Sequence, residues 1–219
     1  ADQYGHGAPD IVLRVPVEPG YASFPEFLMA GLLPWMAIQE GIARSSSVLV
    51  DNAQLVKKTV FPLETLVLSI VVSAAVSEVI AFLVFGVYLG ILGHLSLAWL
   101  PLAILALALQ ILLTFGIACI AATLTAFVRD VSHAVGIILT IGFYATPIVY
   151  PASMVPARMR PWIEANPVSH LVDLYRRAFS LHTPPDAGGL AYLVVFSLLS
   201  AAAGAAIFAR ARPHFADLI

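Results

Sequence analysis

From Val79 to Val128 the chain carries no Asp, Glu, Lys or Arg. A single helix of about 50 residues would measure ~75 Å, against a hydrocarbon core of about 30 Å. A water-soluble fold cannot cover such a run, and one membrane span cannot use it, so the run folds back on itself. Its only turn-like stretch is Gly93-His94-Leu95-Ser96, followed by Trp99 and Pro101. Trp suits a membrane interface, and Pro is tolerated in the first turn of a helix. The reading is a helical hairpin over 63–92 and 99–128.

The rest of the sequence has the same character. The chain is 60% hydrophobic and only 11% charged, with a mean hydropathy of +0.93. Soluble domains carry about 25% charged residues. This excludes a soluble enzyme, while the high apolar content excludes disorder. A net charge of -2 gives no sign of nucleic-acid binding. The lone Cys119, set in an apolar run, reads as a small buried hydrophobe and excludes an internal disulfide. No signal-peptide pattern precedes the first span.

Two more uncharged runs, Val131 to Ala157 and Ala187 to Ala209, are each long enough to cross once. An earlier candidate, 27–50, is interrupted by Glu40 and Arg44, which share a helix face and can pair. The expectation is an all-α polytopic membrane bundle with five visible transmembrane helices: 27–50, 63–92, 99–128, 131–149 and 188–209. β spans would need alternating segments of about ten residues, which are missing. Residues 1–26 form a loop before the first visible span, and 210–219 form a tail.

The connections differ in chemistry. Residues 51–62 are polar and basic, with Phe61-Pro62-Leu63-Glu64 patterned as a helix start, and Arg129-Asp130 makes a tight turn. Residues 150–187 hold Arg158, Arg160, Arg176 and Arg177. There Asn166-Pro167 can cap a short amphipathic helix. That helix would gather Leu171, Leu174, Tyr175 and Phe179 on one side, with Asp173, Arg176 and Arg177 toward the other. An interfacial or re-entrant helix pair fits this segment. Arg14 and these four arginines nearly balance Lys57, Lys58, Arg129, Arg210 and Arg212 across the membrane. Short loops weigh most in orientation, which makes the Lys57 and Arg129 side cytoplasmic.

Catalytic signatures are missing. Lys57 and Lys58 are the only lysines and neither follows Gly, so there is no phosphate-cradling loop. His6, His94, His133, His170, His182 and His214 lack metal-ligand spacing, and no Ser-His-Asp set is evident. Glu78 is the one acid deep in a span, which reads either as an ion-coupling site or as an acid hydrogen-bonded to Ser or to another helix. Gly86 with Gly90, Gly136 with Gly142, and the Ala201–Ala206 run around Gly204 permit close helix packing. Phe143, Tyr144, Tyr150, Trp162 and Tyr175 read either as an interfacial belt or as a path of flat rings for sugars. Pro147 after Thr146 should bend or unwind its span.

Several ordered motifs resemble a known family. Ala30-Gly31-Leu32-Leu33-Pro34-Trp35, Asn52-Ala53-Gln54-Leu55-Val56-Lys57-Lys58-Thr59-Val60-Phe61-Pro62, Arg129-Asp130, Thr146-Pro147-Ile148-Val149-Tyr150-Pro151 and Asn166-Pro167 occur in sequence. Together, over about residues 27 to 219, they resemble the membrane subunit of type-2 ATP-binding-cassette polysaccharide exporters, which handle O-antigen, capsule and teichoic acid. The resemblance implies six transmembrane helices, a second copy of the chain, and two separate ATPase subunits that hold ATP and Mg. A lipid-linked glycan would pass through the dimer across the bacterial inner membrane. No cofactor is implied for this chain itself.

By the same resemblance, residues 51–62 are a cytoplasmic coupling segment, with Asn52, Gln54, Lys57 and Lys58 seated on the ATPase and Arg129 and Asp130 as a second contact. Residues 150–187 are outer-face gate helices, and Phe143, Tyr144, Pro147, Tyr150 and Trp162 line the substrate path or gate. The family's first helix has no counterpart here, so residues 1–26 correspond to the loop that follows it. Rival readings are a permease of the same type for a drug, haem or another lipid, a membrane-embedded enzyme on lipid-linked sugars, and an ion-coupled transporter using Glu78.

Overall fold

A computed structural model of the chain describes residue 21, residues 23–58 and residues 62–218. Most of the expected leading loop, residues 59–61 and the final residue lie outside the described residues. Eight α-helices follow in order: α1 Phe24–Asp51, α2 Ala53–Lys58, α3 Glu64–Ile91, α4 Leu100–Phe127, α5 Val131–Ala145, α6 Arg160–Glu164, α7 Pro167–Arg176 and α8 Ala187–Leu218. Among the described residues there is no strand. This is the fold of an all-α membrane protein, as lipid demands of a backbone that water cannot reach.

Among these helices, three are long and apolar enough to cross a membrane: α3, α4 with its leading turn from Leu97, and α8 as far as Phe215. The hairpin of α3 and α4 turns at 92–99, where Gly93 takes a φ of 75° that L side chains rarely adopt. The expected first span, α1, has the length at 28 residues. Its Gln39, Glu40, Arg44 and Ser45 to Ser47 make it more polar than those three. Glu40 and Arg44 pair at 2.6 Å along one face.

Two expected boundaries shift. The span placed at 131–149 stops at Ala145, since Pro147 cannot continue the helical ladder and Thr146 is already extended. Its 15 residues rise about 22 Å, less than the ~30 Å hydrocarbon layer. The tail placed at 210–219 instead continues α8 through Pro213 to Leu218. Phe215 and Phe208 meet edge to face at 5.1 Å and are both fully buried, which holds the helix past its proline.

Each long helix buries one stripe. In α3 it is Val67, Val71, Ala74, Glu78, Phe82, Phe85 and Leu89, a period near 3.6. In α8 it is Leu193, Ser197, Gly204, Phe208 and Phe215. The remaining faces expose Ile80, Leu83, Val84, Val87, Leu198 and Leu199, side chains that only lipid solvates well. Two buried clusters mark the two ends of the bundle. One joins Val56, Leu63, Val67, Ala126, Phe208 and Phe215 at the α2 end. The other runs from Ile42 up to Leu89, Leu174 and Tyr175.

The tightest crossing is between α4 and α8. A Cβ built on Gly116 would fall 2.1 Å from the Ser200 carbonyl oxygen, and one on Gly204 would fall 2.2 Å from the Gly116 carbonyl oxygen. Backbone thus meets backbone, as small residues allow between membrane helices. Gly142 makes room for the Trp35 ring, 3.0 Å from its would-be Cβ. Gly86 and Gly136, which share the same sequence pattern, face nothing within 4 Å. Gly116→Ala should therefore lower the detergent melting temperature by several degrees, at a cost of at least 1–3 kcal/mol, whereas Gly86→Ala should leave it unchanged. Equal melting of the two variants would contradict the assigned crossing.

Candidate functional site

The break at the end of α5 organises the site. Ahead of Pro147, Thr146 still bonds back to the Gly142 carbonyl through both its amide (3.0 Å) and its hydroxyl (2.8 Å). Beyond it the chain leaves the helix, and Tyr150 turns back so that its hydroxyl donates to the Tyr144 carbonyl at 2.9 Å. Burial pushes the Tyr150 phenol above its ordinary value, so it stays a donor. Tyr144, Tyr150 and Trp162 then line one cavity of about 590 Å³, closed by Met154, Ile163 and Asn166. Tyr144 and Trp162 are 66% and 79% exposed, so their ring faces are free to stack on a ligand.

Of the five residues expected on the path, these three come together and two do not. Phe143 turns away from the cavity onto Trp35 of α1, 5.9 Å between ring centres. Pro147 is buried and does not line the cavity. The separation follows from the helix: neighbouring residues on α5 point about 100° apart, so Phe143 and Tyr144 cannot share a face.

Asn166, on the lining of the cavity, begins α7. Asn166 caps it as its sequence predicts, its side-chain oxygen accepting from the Val168 amide at 3.0 Å. Its amide nitrogen donates to the Thr146 hydroxyl at 2.9 Å, which ties the start of α7 to the end of α5. Leu171, Leu174 and Tyr175 are buried as expected, and Arg177 pairs with Asp173 at 2.6 Å. Arg176 departs from expectation. The helical pattern sets it with the polar face, but it is 5% exposed and points inward, because its helical neighbour at i−4 is the buried Val172. Its Nη1 and Nη2 donate to the Pro147 and Ile148 carbonyls, each at 2.8 Å.

The opposite end of the bundle carries the other set. Asn52 ends α1 with its side chain donating back to the Val48 carbonyl at 2.8 Å. Gln54 and Lys57 of α2 are exposed, while Val56 packs inward against Phe208 and Phe215. Lys58 closes the helix, its side chain lying outside the described residues. Arg129 and Asp130 form an exposed turn, with the Val131 amide bonded to the Val128 carbonyl at 3.0 Å. Ala126 shares the buried cluster with Val56, so this turn and α2 sit at one end. Charges are gathered there, and none of the described side chains of Asn52, Gln54, Lys57, Arg129 and Asp130 is buried.

Midway between the two ends, Glu78 of α3 is buried and accepts a hydrogen bond from Gln110 of α4. The Gln110 amide also reaches the Pro34 carbonyl of α1 at 3.5 Å. The Tyr175 hydroxyl comes beside the same carboxyl, at a geometry short of a full hydrogen bond. Of the two expectations for Glu78, the partnered acid is what the structure displays, with an amide rather than a serine as partner. Among the described residues, no three His, Cys, Asp or Glu side chains gather as metal ligands do.

Residues 18–180 match the family model of the ABC-2 type transporter. The chain belongs to that family. It is 31% identical over 211 residues, 95% of its own length and 79% of the relative's, to the O-antigen export system permease protein RfbA of Klebsiella pneumoniae. A permease of the same name from Myxococcus xanthus is 29% identical over 95% of the chain and 81% of the relative. The polysialic acid transport protein KpsM of Escherichia coli is 25% identical over 85% of the chain and 72% of its own length.

An ABC-2 transporter membrane domain serves transport, lies in a membrane and works with an ATPase partner. Within this transporter, sequence reasoning missed Arg176 and Gln110. Gln110 had a usable signal: it is the only amide or charge between Glu78 and Arg129. An intramembrane acid needs a partner. Arg176 had a weaker one, its place four residues after Val172.

Proposed function

We propose that this transporter is the channel-forming permease of an exporter that moves a lipid-linked, O-antigen-like polysaccharide across the bacterial cytoplasmic membrane. The observation that carries the reading is the aromatic cavity at the broken end of α5 in a chain of this family. The exposed rings of Tyr144 and Trp162 and the half-buried ring of Tyr150 offer apolar faces to sugar rings, and the Tyr144 hydroxyl can bond to sugar hydroxyls. Such contacts hold many sugars weakly and alike, which suits a polymer that must slide. The relatives named for O-antigen export and polysialic acid transport support the same substrate class.

Two copies form the channel, and each seats one ATPase subunit, which holds ATP and Mg. Asn52, Gln54, Lys57 and Lys58 with Arg129 and Asp130 make the cytoplasmic seat. The outer segment 150–187, including α6 and α7, is the gate. A basic helix joined to α3 at one end and pinned to α8 by Val56 can pass a displacement of the ATPase into the spans.

Two tests follow. An affinity-tagged permease should co-purify its ATPase, and Lys57→Glu with Lys58→Glu should abolish most of that recovery and of export. Undiminished recovery and export would overturn the seat. Tyr144→Ala and Tyr150→Ala should each slow glycan export several-fold at unchanged protein abundance, consistent with about 1 kcal/mol per ring contact. A fall of export in strict proportion to abundance would make the aromatics merely structural.

A further inference from the structure

Arg176 and Tyr175 are neighbours in α7, both buried and aimed apart. Tyr175 stacks on Phe82 of α3, 5.0 Å between ring centres with planes 9° apart. Arg176 reaches the other way, to α1 and to the chain beyond α5. Its guanidinium carbon sits 3.7 Å from the centre of the Phe27 ring. Gly31, one turn further along α1, leaves room for it: a Cβ there would stand 3.0 Å from Nη2.

The two carbonyls that Arg176 takes up belong to Pro147 and Ile148, in a segment that has left the α5 helix. Pro147 and Ile148 are buried. Carbonyls freed from a helix at that depth need donors, since an unpaired buried one is costly. A guanidinium supplies two N–H groups in one plane and stays charged, so it can serve adjacent carbonyls at once. A lysine ammonium is a compact point charge without that planar fork. The clamped pair lies three residues after Tyr144 and two before Tyr150, whose own hydroxyl closes back on the Tyr144 carbonyl.

We infer that Arg176 is a positioning residue of the outer gate: by holding the Pro147 and Ile148 carbonyls it fixes where α5 ends and so sets the Tyr144–Tyr150 wall in its closed arrangement. This rests on the proposed reading of 150–187 as the gate. The same grip joins α1, the broken end of α5 and α7 at one point, so loosening it releases the wall without touching the ATPase seat.

The test uses the complete permease with its ATPase, reconstituted in proteoliposomes. Leak of a small hydrophilic dye is measured without ATP, and glycan export with it. Arg176→Met should raise the leak about tenfold, the population shift that losing charge-assisted hydrogen bonds brings. Abundance and basal ATP hydrolysis should stay near wild type, and Arg176→Lys should leak to an intermediate degree. A merely structural role moves abundance and export together and leaves the membrane tight, and that result overturns the inference. Should Arg176→Met fail to accumulate, Gly31→Ala keeps the charge while pressing on Nη2 and should leak likewise; a tight Gly31→Ala complex also overturns it. A wild-type complex that moves no glycan defeats the transport reading instead, which tells the two failures apart.

Discussion

Inside a hydrocarbon layer no water is at hand to bond a stray carbonyl, and that constraint shapes every element of this chain. It makes the long elements helices. It also makes each departure from helix a place where side chains must supply what the ladder no longer does. The chain departs most abruptly at Thr146–Ile148, because proline offers no amide there. Thr146 bonds backward, Asn166 bonds to Thr146, and Arg176 covers the two following carbonyls. The aromatic cavity is built on that repair, so the same residues that rescue the backbone also shape the surface a substrate would meet.

The polar groups inside the bundle obey the same rule. Glu78 and Gln110 satisfy each other across α3 and α4, with Pro34 of α1 close by. A buried acid held by an amide joins three helices at mid-depth, and its removal would leave the amide unpaired. Its position between the α2 end and the cavity end links the two halves of the fold through packing. The other tie along the length is the Gly116–Gly204 crossing, where two backbones touch.

Much of this was legible in the residues. Uncharged runs located α3, α4 and α8 because charge is costly in lipid, and the Arg129-Asp130 turn, the Asn166 cap and the Glu40–Arg44 pair follow from short-range chemistry. What depended on distant packing was not. Arg176 reads as a surface charge until Gly31, Phe27 and the carbonyls after Pro147 are brought around it. Glycine spacing alone could not distinguish Gly204, pressed against α4, from Gly86, which faces open space. Phe143 and Tyr144 are adjacent and their rings meet edge to face at 5.2 Å, yet Phe143 packs on Trp35 while Tyr144 lines the cavity, a division that only the helix's orientation against Trp35 decides.

The central claim is that ATP hydrolysis on a partner drives a glycan through this chain, with Glu78 serving as a structural tie and not as an ion carrier. Inside-out vesicles carrying the complex and a labelled lipid-linked glycan test it directly. Protection of the label from an added glycosidase should appear only with ATP and should persist when the proton gradient is collapsed. Protection that needs no ATP, or that vanishes with the gradient, would contradict the account.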